Sequence, residues 1–322
     1  MQEPLIQLPC DVDGQNYVQC AAIVAGSIWL PDREVFEDSI DFDVDVGRRV
    51  PSLCFLIEHK EHGKLLFDLG LRKRGLGYPP VLEDDLKMFA IDCEKDVADL
   101  LRQGKVDPGD ISTIIYSHLH FDHVGDLSPF PSARLILGED SRDLMKSVYP
   151  DNPSSSRLRF PEHQEVIYLT FEGKNNISHF IPPYVTPSST LRAAPIISPI
   201  GPLSRGVDLF SDGSLYILDA PGHTPGHLAL LARVAPNSFI VFAADCCHNR
   251  ECYDPGVRVV SSENHVDIAT ARDTVIKLKQ MHGMDNVVII LAHETERLDE
   301  MPIFPSTLNG WATGEMLKKA SR

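Results

Sequence analysis

The run Ser117-His118-Leu119-His120-Phe121-Asp122-His123-Val124-Gly125-Asp126 packs three histidines and two carboxylates into ten residues. Before it lies an apolar, β-branched stretch, Ile111 to Tyr116, that reads as a buried strand. After Asp126 the chain turns polar and proline-rich. A strand that ends in imidazoles and a carboxylate can hold metal ions at the rim of a sheet, and those donors suit zinc and other divalent transition metals. His118 and His120 are two apart, so on an extended segment they project to one side and can grip one ion. Asp122 and His123 are adjacent, point elsewhere and can serve a second. A lone histidine is ordinarily a surface or core residue. Four matched positions of H-x-H-x-D-H form a motif, and a motif of this kind requires further ligands downstream.

Such ligands recur at the ends of later strands. The apolar run 215–218 leads into Asp219-Ala220-Pro221-Gly222-His223-Thr224-Pro225-Gly226-His227. The run 238–243 leads into Ala244-Asp245-Cys246-Cys247-His248, and 286–291 into Ala292-His293-Glu294. Loops leaving one end of a sheet converge on one rim, so these side chains can meet in space.

The remaining pattern is that of an α/β chain. Strands are expected over 17–30, with a bulge at Gly26, and over 50–58, joined by an acidic surface loop at 31–46. The stretch Lys64 to Leu71 reads as a short buried strand ending in Asp68 and Gly70, where a turn residue is the simple reading of Asp68. A Gly/Pro loop follows at 75–82. Apolar residues from Leu86 to Leu101 recur at three and four, which predicts one helix over 83–103. Asp107 to Asp110 reads as a turn, 133–137 and 228–234 as strands, Glu139 to Met145 as a helix start, and 268–282 as an amphipathic helix. A loop over 299–309 and a short terminal helix close the chain. Residues 150–206 are irregular and rich in Pro, Ser and Asn, with only short apolar runs such as 165–171. Between two ligand motifs, such an insertion reads as a lid or pocket wall within a single domain spanning 1–322. The length suffices for a substantial core.

Thirty basic and 46 acidic residues give a formal charge of −16. Such a surface repels polyanions, which argues against nucleic acid or anionic membrane as partners. The seven cysteines are odd in number and irregularly spaced, as expected of free thiols in a reducing cytosol. The N-terminus lacks the basic and apolar regions of a signal peptide, and the apolar run 20–30 is too short to span a bilayer. A cytoplasmic protein acting on a small molecule is expected, as monomer or homodimer.

On Phe67-Asp68-Leu69-Gly70, the H-x-H-x-D-H, Gly222-His223, Asp245 and His293, in that order, the chain resembles the metallo-β-lactamase superfamily. With S-H-L-H-F-D-H and P-G-H-T-P-G-H it is most similar to the N-acyl-homoserine lactonase-like branch. The resemblance implies a four-layer αβ/βα sandwich of two mixed sheets with helices outside. It implies two zinc ions: His118, His120 and His223 on the first, Asp122, His123 and His293 on the second, and Asp245 bridging. His227 becomes an outer or structural residue, and Asp68 a buried aspartate that steadies the ligand loops, in place of the turn reading. The implied chemistry is attack of a metal-bridging hydroxide on an acyl carbon, with Asp122 orienting the water or passing its proton to the leaving atom.

One position departs from the branch, which carries a tyrosine three residues after the bridging aspartate. Here that residue is His248, which can donate a hydrogen bond and protonate a leaving group near neutral pH. An amide nitrogen leaves less readily than an alkoxide and gains more from an acid. The expected function is therefore opening of a small cyclic ester or a cyclic amide or carbamate, with Asp122 and His248 as catalytic groups. Cys246 and Cys247 read as packing residues. A thioesterase acting on acyl-carrier or glutathione thioesters is the alternative, although a carrier protein calls for basic residues around the pocket mouth and this chain is acidic. A mononuclear iron dioxygenase, a nuclease and a binding scaffold without activity are less consistent with a complete ligand set and the acidic charge.

Overall fold

Apolar runs with no polar alternation, such as Leu228 to Ala232 and Val287 to Leu291, are stable only as strands covered on both faces. The computed structural model describes residues 7–171 and 197–321, and within them such strands build two sheets. The first runs in the order β1 (Val18–Pro31), β2 (Gly47–His59), β3 (Gly63–Phe67), β4 (Ile111–Ile115), β5 (Arg134–Gly138) and β6 (Val166–Leu169). The second contains β7 (Ile197–Ile200), β8 (Leu203–Asp208), β9 (Leu215–Asp219), β10 (Leu228–Ala235), β11 (Ser238–Ala244) and β12 (Val287–Leu291), with β12 and β7 at its edges. The helices are α1 (Asp32–Val35), α2 (Glu83–Met88), α3 (Val97–Gln103), α4 (Phe121–Val124), α5 (Ile268–His282) and α6 (Asn309–Ala320).

The two-residue period of each strand sorts side chains into three layers. Leu228, Leu230 and Ala232 of β10 join Phe55, Phe67 and Phe242 in the core between the sheets. The rings of Phe55 and Phe242, one from each sheet, lie 4.2 Å apart. Ala229 and Leu231 face the opposite way, toward Ala271, Val275 and Leu278 of α5. On the far side of the first sheet, Leu56, Leu66 and Ile114 pack with Val97, Ala98 and Leu101 of α3. Helix, sheet, sheet, helix is the expected αβ/βα sandwich of two mixed sheets.

Strand direction fixes where the loops emerge. β3 and β4 are parallel. β10 is antiparallel to both β9 and β11, and β11 is parallel to β12, so β9, β11 and β12 all run one way. Their C-terminal ends therefore lie on one edge of the second sheet.

Several expectations needed correction. The stretch 83–103 is two helices, not one. Ala90 adopts φ 40°, and Asp92 leaves the helical path to bond Ser27 of β1 through its backbone. The Asp96 side chain then caps a new helix by accepting from Asp99 N at 2.9 Å. β3 stops at Phe67, since Asp68 adopts φ 61°. Residues 139–145 form a 3-10 helix, and α1 interrupts the 31–46 loop. The stretch 150–206 contains β6, β7 and the start of β8, of which only the first lies in the apolar run noted there. The bulge at Gly26 is present, as a register shift between Val24 and Ser27. A lid role for 172–196 lies outside the described residues.

Candidate metal centre

Just past β4, Tyr116 and Ser117 lead into His118 and His120, and the chain then coils into α4, which presents Asp122 and His123. Asp68, just past the parallel neighbour β3, locks this segment. Its carboxylate accepts from Ser117 N and Ser117 Oγ, both at 2.7 Å, and from His123 Nδ1 at 2.8 Å. Asp68 is thus the steadying residue that the resemblance implied, not merely a turn former. From the second sheet, the loop after β9 brings His223, the end of β11 brings Asp245, and the end of β12 brings His293. Gly222 makes the β9 turn with φ 125°, against the first turn of α5.

Two groups of donor atoms result, each confined within 4.8 Å: His118, His120, His223 and Asp245 in one, and Asp122, His123 and His293 in the other. In the first, His223 Nε2 lies 3.2 Å from His118 Nε2 and 3.1 Å from His120 Nδ1. Asp245 Oδ2 stands between the groups. It lies 3.7 and 3.6 Å from His118 and His223 Nε2, and 3.2 and 3.5 Å from His123 and His293 Nε2. Asp122 Oδ2 is 3.4 Å from His293 Nε2.

Outer partners determine which nitrogen of each ring faces inward. His293 Nδ1 lies 2.8 Å from the Pro51 carbonyl, which can only accept, so Nε2 carries the lone pair. His123 Nδ1 is likewise committed to Asp68. The Ser117 hydroxyl gives its proton to Asp68 and accepts from His118 Nδ1 at 2.9 Å. Imidazole lone pairs at these separations repel unless a cation lies among them. About 2.0–2.1 Å from nitrogen to zinc implies tetrahedral edges of about 3.3 Å, close to the spacing within the first group. His123 Nε2 and Asp245 Oδ1 are buried without a hydrogen bond. The residues fit a metal.

Electrostatics point the same way. Burial, followed by the surrounding imidazoles, holds His118 and His223 well below the ordinary histidine range. Burial brings His120 down to about 4. These rings are neutral donors at pH 7. Burial opposes charge on His123 and His293, but the carboxylates of Asp245 and Asp122, joined by Asp68 at His123, together outweigh it and raise both. Burial also opposes ionisation of Asp245, and the charges of His123, His293 and His248 override it, holding that carboxyl well below its usual range.

His227 is fully buried, with Nδ1 2.9 Å from the Ala220 carbonyl and Nε2 accepting from Asp245 N at 3.3 Å. It ties the β9 loop to the backbone of Asp245. His248 Nε2 lies 3.2 Å from Asp245 Oδ2 and 3.3 Å from Asn264 Nδ2. Cys246 and Cys247 are buried. Burial raises the first thiol, and a hydrogen bond with Cys252 followed by burial raises the second, so both pack as apolar groups. All seven cysteines are free. His265, buried with its ring 5.0 Å from His223, went unnoticed in the sequence. No strand precedes it and no motif includes it.

A cavity of about 260 Å³ opens on the site, lined by His120, Asp122, Asp245, His248, Asn264 and His293 among others. No described helix is long and apolar enough to cross a membrane.

This fold and the paired His/Asp groups define a metallo-hydrolase. The chain belongs to the metallo-beta-lactamase superfamily, whose family model matches residues 47–293. The metallo-hydrolase mfmC of Annulohypoxylon moriforme is 30% identical over 84% of this chain and 77% of its own length. The gamma-lactamase FDB1 of Fusarium pseudograminearum is 26% identical, covering 81% of this chain and 70% of that protein. The chain also matches longer relatives, spanning 32% of a cytochrome P450 monooxygenase, mpaDE', of Penicillium brevicompactum. Among solved structures, an N-acyl homoserine lactone hydrolase with N-hexanoyl-L-homoserine at its catalytic metal centre shares the fold. The TM-score is 0.61 at 19% identity, over 90% of this chain and 98% of that one.

Proposed function

We propose that the chain is a dizinc hydrolase that opens a small cyclic ester or a cyclic amide or carbamate. The observation that carries this reading is Asp245, one carboxylate oxygen facing imidazoles of both donor groups. His118, His120 and His223 would hold one ion, Asp122, His123 and His293 the other, and Asp245 both. Bound there, two divalent ions supply a Lewis acid for a carbonyl oxygen and a water that ionises near neutral pH.

The chain's own residues supply the rest. Asp122 lines the cavity and orients the water, taking up its proton. His248, also on the cavity wall, delivers a proton to the departing oxygen or nitrogen as the acyl bond breaks. Asn264 Nδ2 and Asp245 Oδ2 both lie against His248 Nε2 and fix that edge of the ring. Ser156 and Arg157 line the same cavity, which supports a pocket-wall role for the described part of the 150–206 insertion. The gamma-lactamase and homoserine lactone relatives support the choice of cyclic substrates.

Metal quantitation combined with a panel of lactones, lactams, cyclic carbamates and thioesters tests the reading. Two zinc ions per chain and ring opening are expected. Chelation should abolish activity and lower the melting temperature, since an ion that binds only the folded state stabilises it. Asp245→Ala and His118→Ala should each lose metal and activity. One iron per chain, or full activity in either variant, refutes the assignment.

A further inference from the structure

Arg157 is a cation at the cavity wall for which the described fold supplies no partner. It is half-buried, its Nε is shielded from solvent without a hydrogen bond, and no described carboxylate pairs with it. Its backbone is fixed, its nitrogen accepted by Ser155 Oγ at 3.2 Å and its carbonyl accepting from Tyr149 N at 2.8 Å. Burial depresses its pKa, as expected of a guanidinium removed from water without a counter-charge. Neighbouring arginines differ. Arg72 pairs with Asp126 and Arg159 with Asp151. In a chain of charge −16, leaving this cation unpaired costs free energy that an incoming anion would recover.

Its position says which anion. Arg157 lines the 260 Å³ cavity at the metal centre and also an adjoining cavity of about 210 Å³. The adjoining cavity is walled by apolar groups such as Leu119, Phe121, Leu127, Met145 and Phe160. We infer that Arg157 recognises a carboxylate that the substrate carries outside the ring to be opened, on an apolar body seated beside Phe121. This specificity rests on the hydrolase reading. A planar guanidinium can meet such a group with two parallel hydrogen bonds.

Phthalide and its ring carboxylate, 5-carboxyphthalide, are the probes, tested on the metal-loaded protein. A charge-assisted hydrogen bond of about 1.5–3 kcal/mol corresponds to a preference of about 10- to 100-fold for the carboxylated lactone, expressed in KM. Arg157→Met should bring the ratio of the two kcat/KM values close to one, and Arg157→Lys should retain part of it. Arg142→Met, removing a cation already paired with Glu139 outside both cavities, should leave the ratio at its wild-type value. An undiminished preference in Arg157→Met, or no preference in the wild type, overturns the inference. If neither lactone is opened, the hydrolase reading fails on its own. Calorimetric binding of 5-carboxyphthalide to wild type and Arg157→Met then decides the role of Arg157, with equal affinities refuting it.

Discussion

Gly222→Ala should disable the site without touching a donor atom. Gly222 has φ 125°, a conformation that L side chains rarely adopt, and forcing one into it costs about 1–3 kcal/mol. A β-carbon there would also collide with Ala271 N and Cα and come within 2.8 Å of Ala271 Cβ. Ala271 lies in the first turns of α5, with its N–H bonded to the Asp267 carbonyl at 2.9 Å. The obstacle is therefore helix backbone, which cannot swing aside, and overpacking of that kind adds about 1–3 kcal/mol. The combined destabilisation is about 2–6 kcal/mol. His223 follows directly, and its Nε2 must stay about 3.1–3.2 Å from two neighbouring imidazole nitrogens. A displacement of about 1 Å should cost about a hundredfold in rate. Urea unfolding gives the stability change, and metal titration with ring-opening kinetics gives the effect on the site. Ala271→Gly removes only the β-carbon contact, so the double variant should remain impaired. Wild-type stability and metal content in Gly222→Ala, or full rescue by Ala271→Gly, would show that the turn does not depend on this close approach.

Two further predictions concern regions away from the site. Arg233 is fully buried, donates to the Gly213 and Pro9 carbonyls at 2.7 and 2.8 Å, pairs with Asp11 and lies against the Phe239 ring. Arg233→Met should cost about 1–3 kcal/mol in chemical denaturation, because the Gly213 and Pro9 carbonyls lose their donor. An unchanged midpoint would mean that the N-terminal segment is held by other contacts. Burial disfavours the Asp212 carboxylate, but hydrogen bonds from His59, Ser214 and Asn16 outweigh it and depress its pKa. A depressed carboxyl contributes stability above its unfolded value of about 3.9 and loses it as pH falls toward the folded value. Asp212→Asn should therefore be less stable than wild type at pH 7, with the gap closing below about pH 4. A gap independent of pH in thermal melts would remove Asp212 ionisation as the cause.

The residues that the fold gathers into the two groups were legible because chemistry and position coincide in them. An imidazole or carboxylate directly after an apolar run stands out, and strand direction carries His223, Asp245 and His293 to one edge. What could not be read was decided by contacts distant in sequence. Phe89 and Cys93 keep a helical spacing, yet the backbone pairing of Asp92 with Ser27 breaks the helix between them. Strands β7 and β8 are short, and Pro199 and Gly201 punctuate the first, so their pairing depends on β9 rather than on local pattern. Arg157 and His265 sit in loops with no periodicity, and only the folded arrangement turns them toward the site.

Each donor group draws on both sheets. His118 and His120 leave the first sheet to meet His223 and Asp245 from the second, and Asp122 and His123 meet His293 in the same way. Neither group exists in either half alone, and 175 residues separate His118 from His293. Closing so long a loop is an entropic cost met only when the halves dock. Under the proposed function, uptake of an ion becomes a clock for folding. In a stopped-flow experiment the metal signal should lag the formation of strands within each sheet and coincide with burial of Phe55 against Phe242.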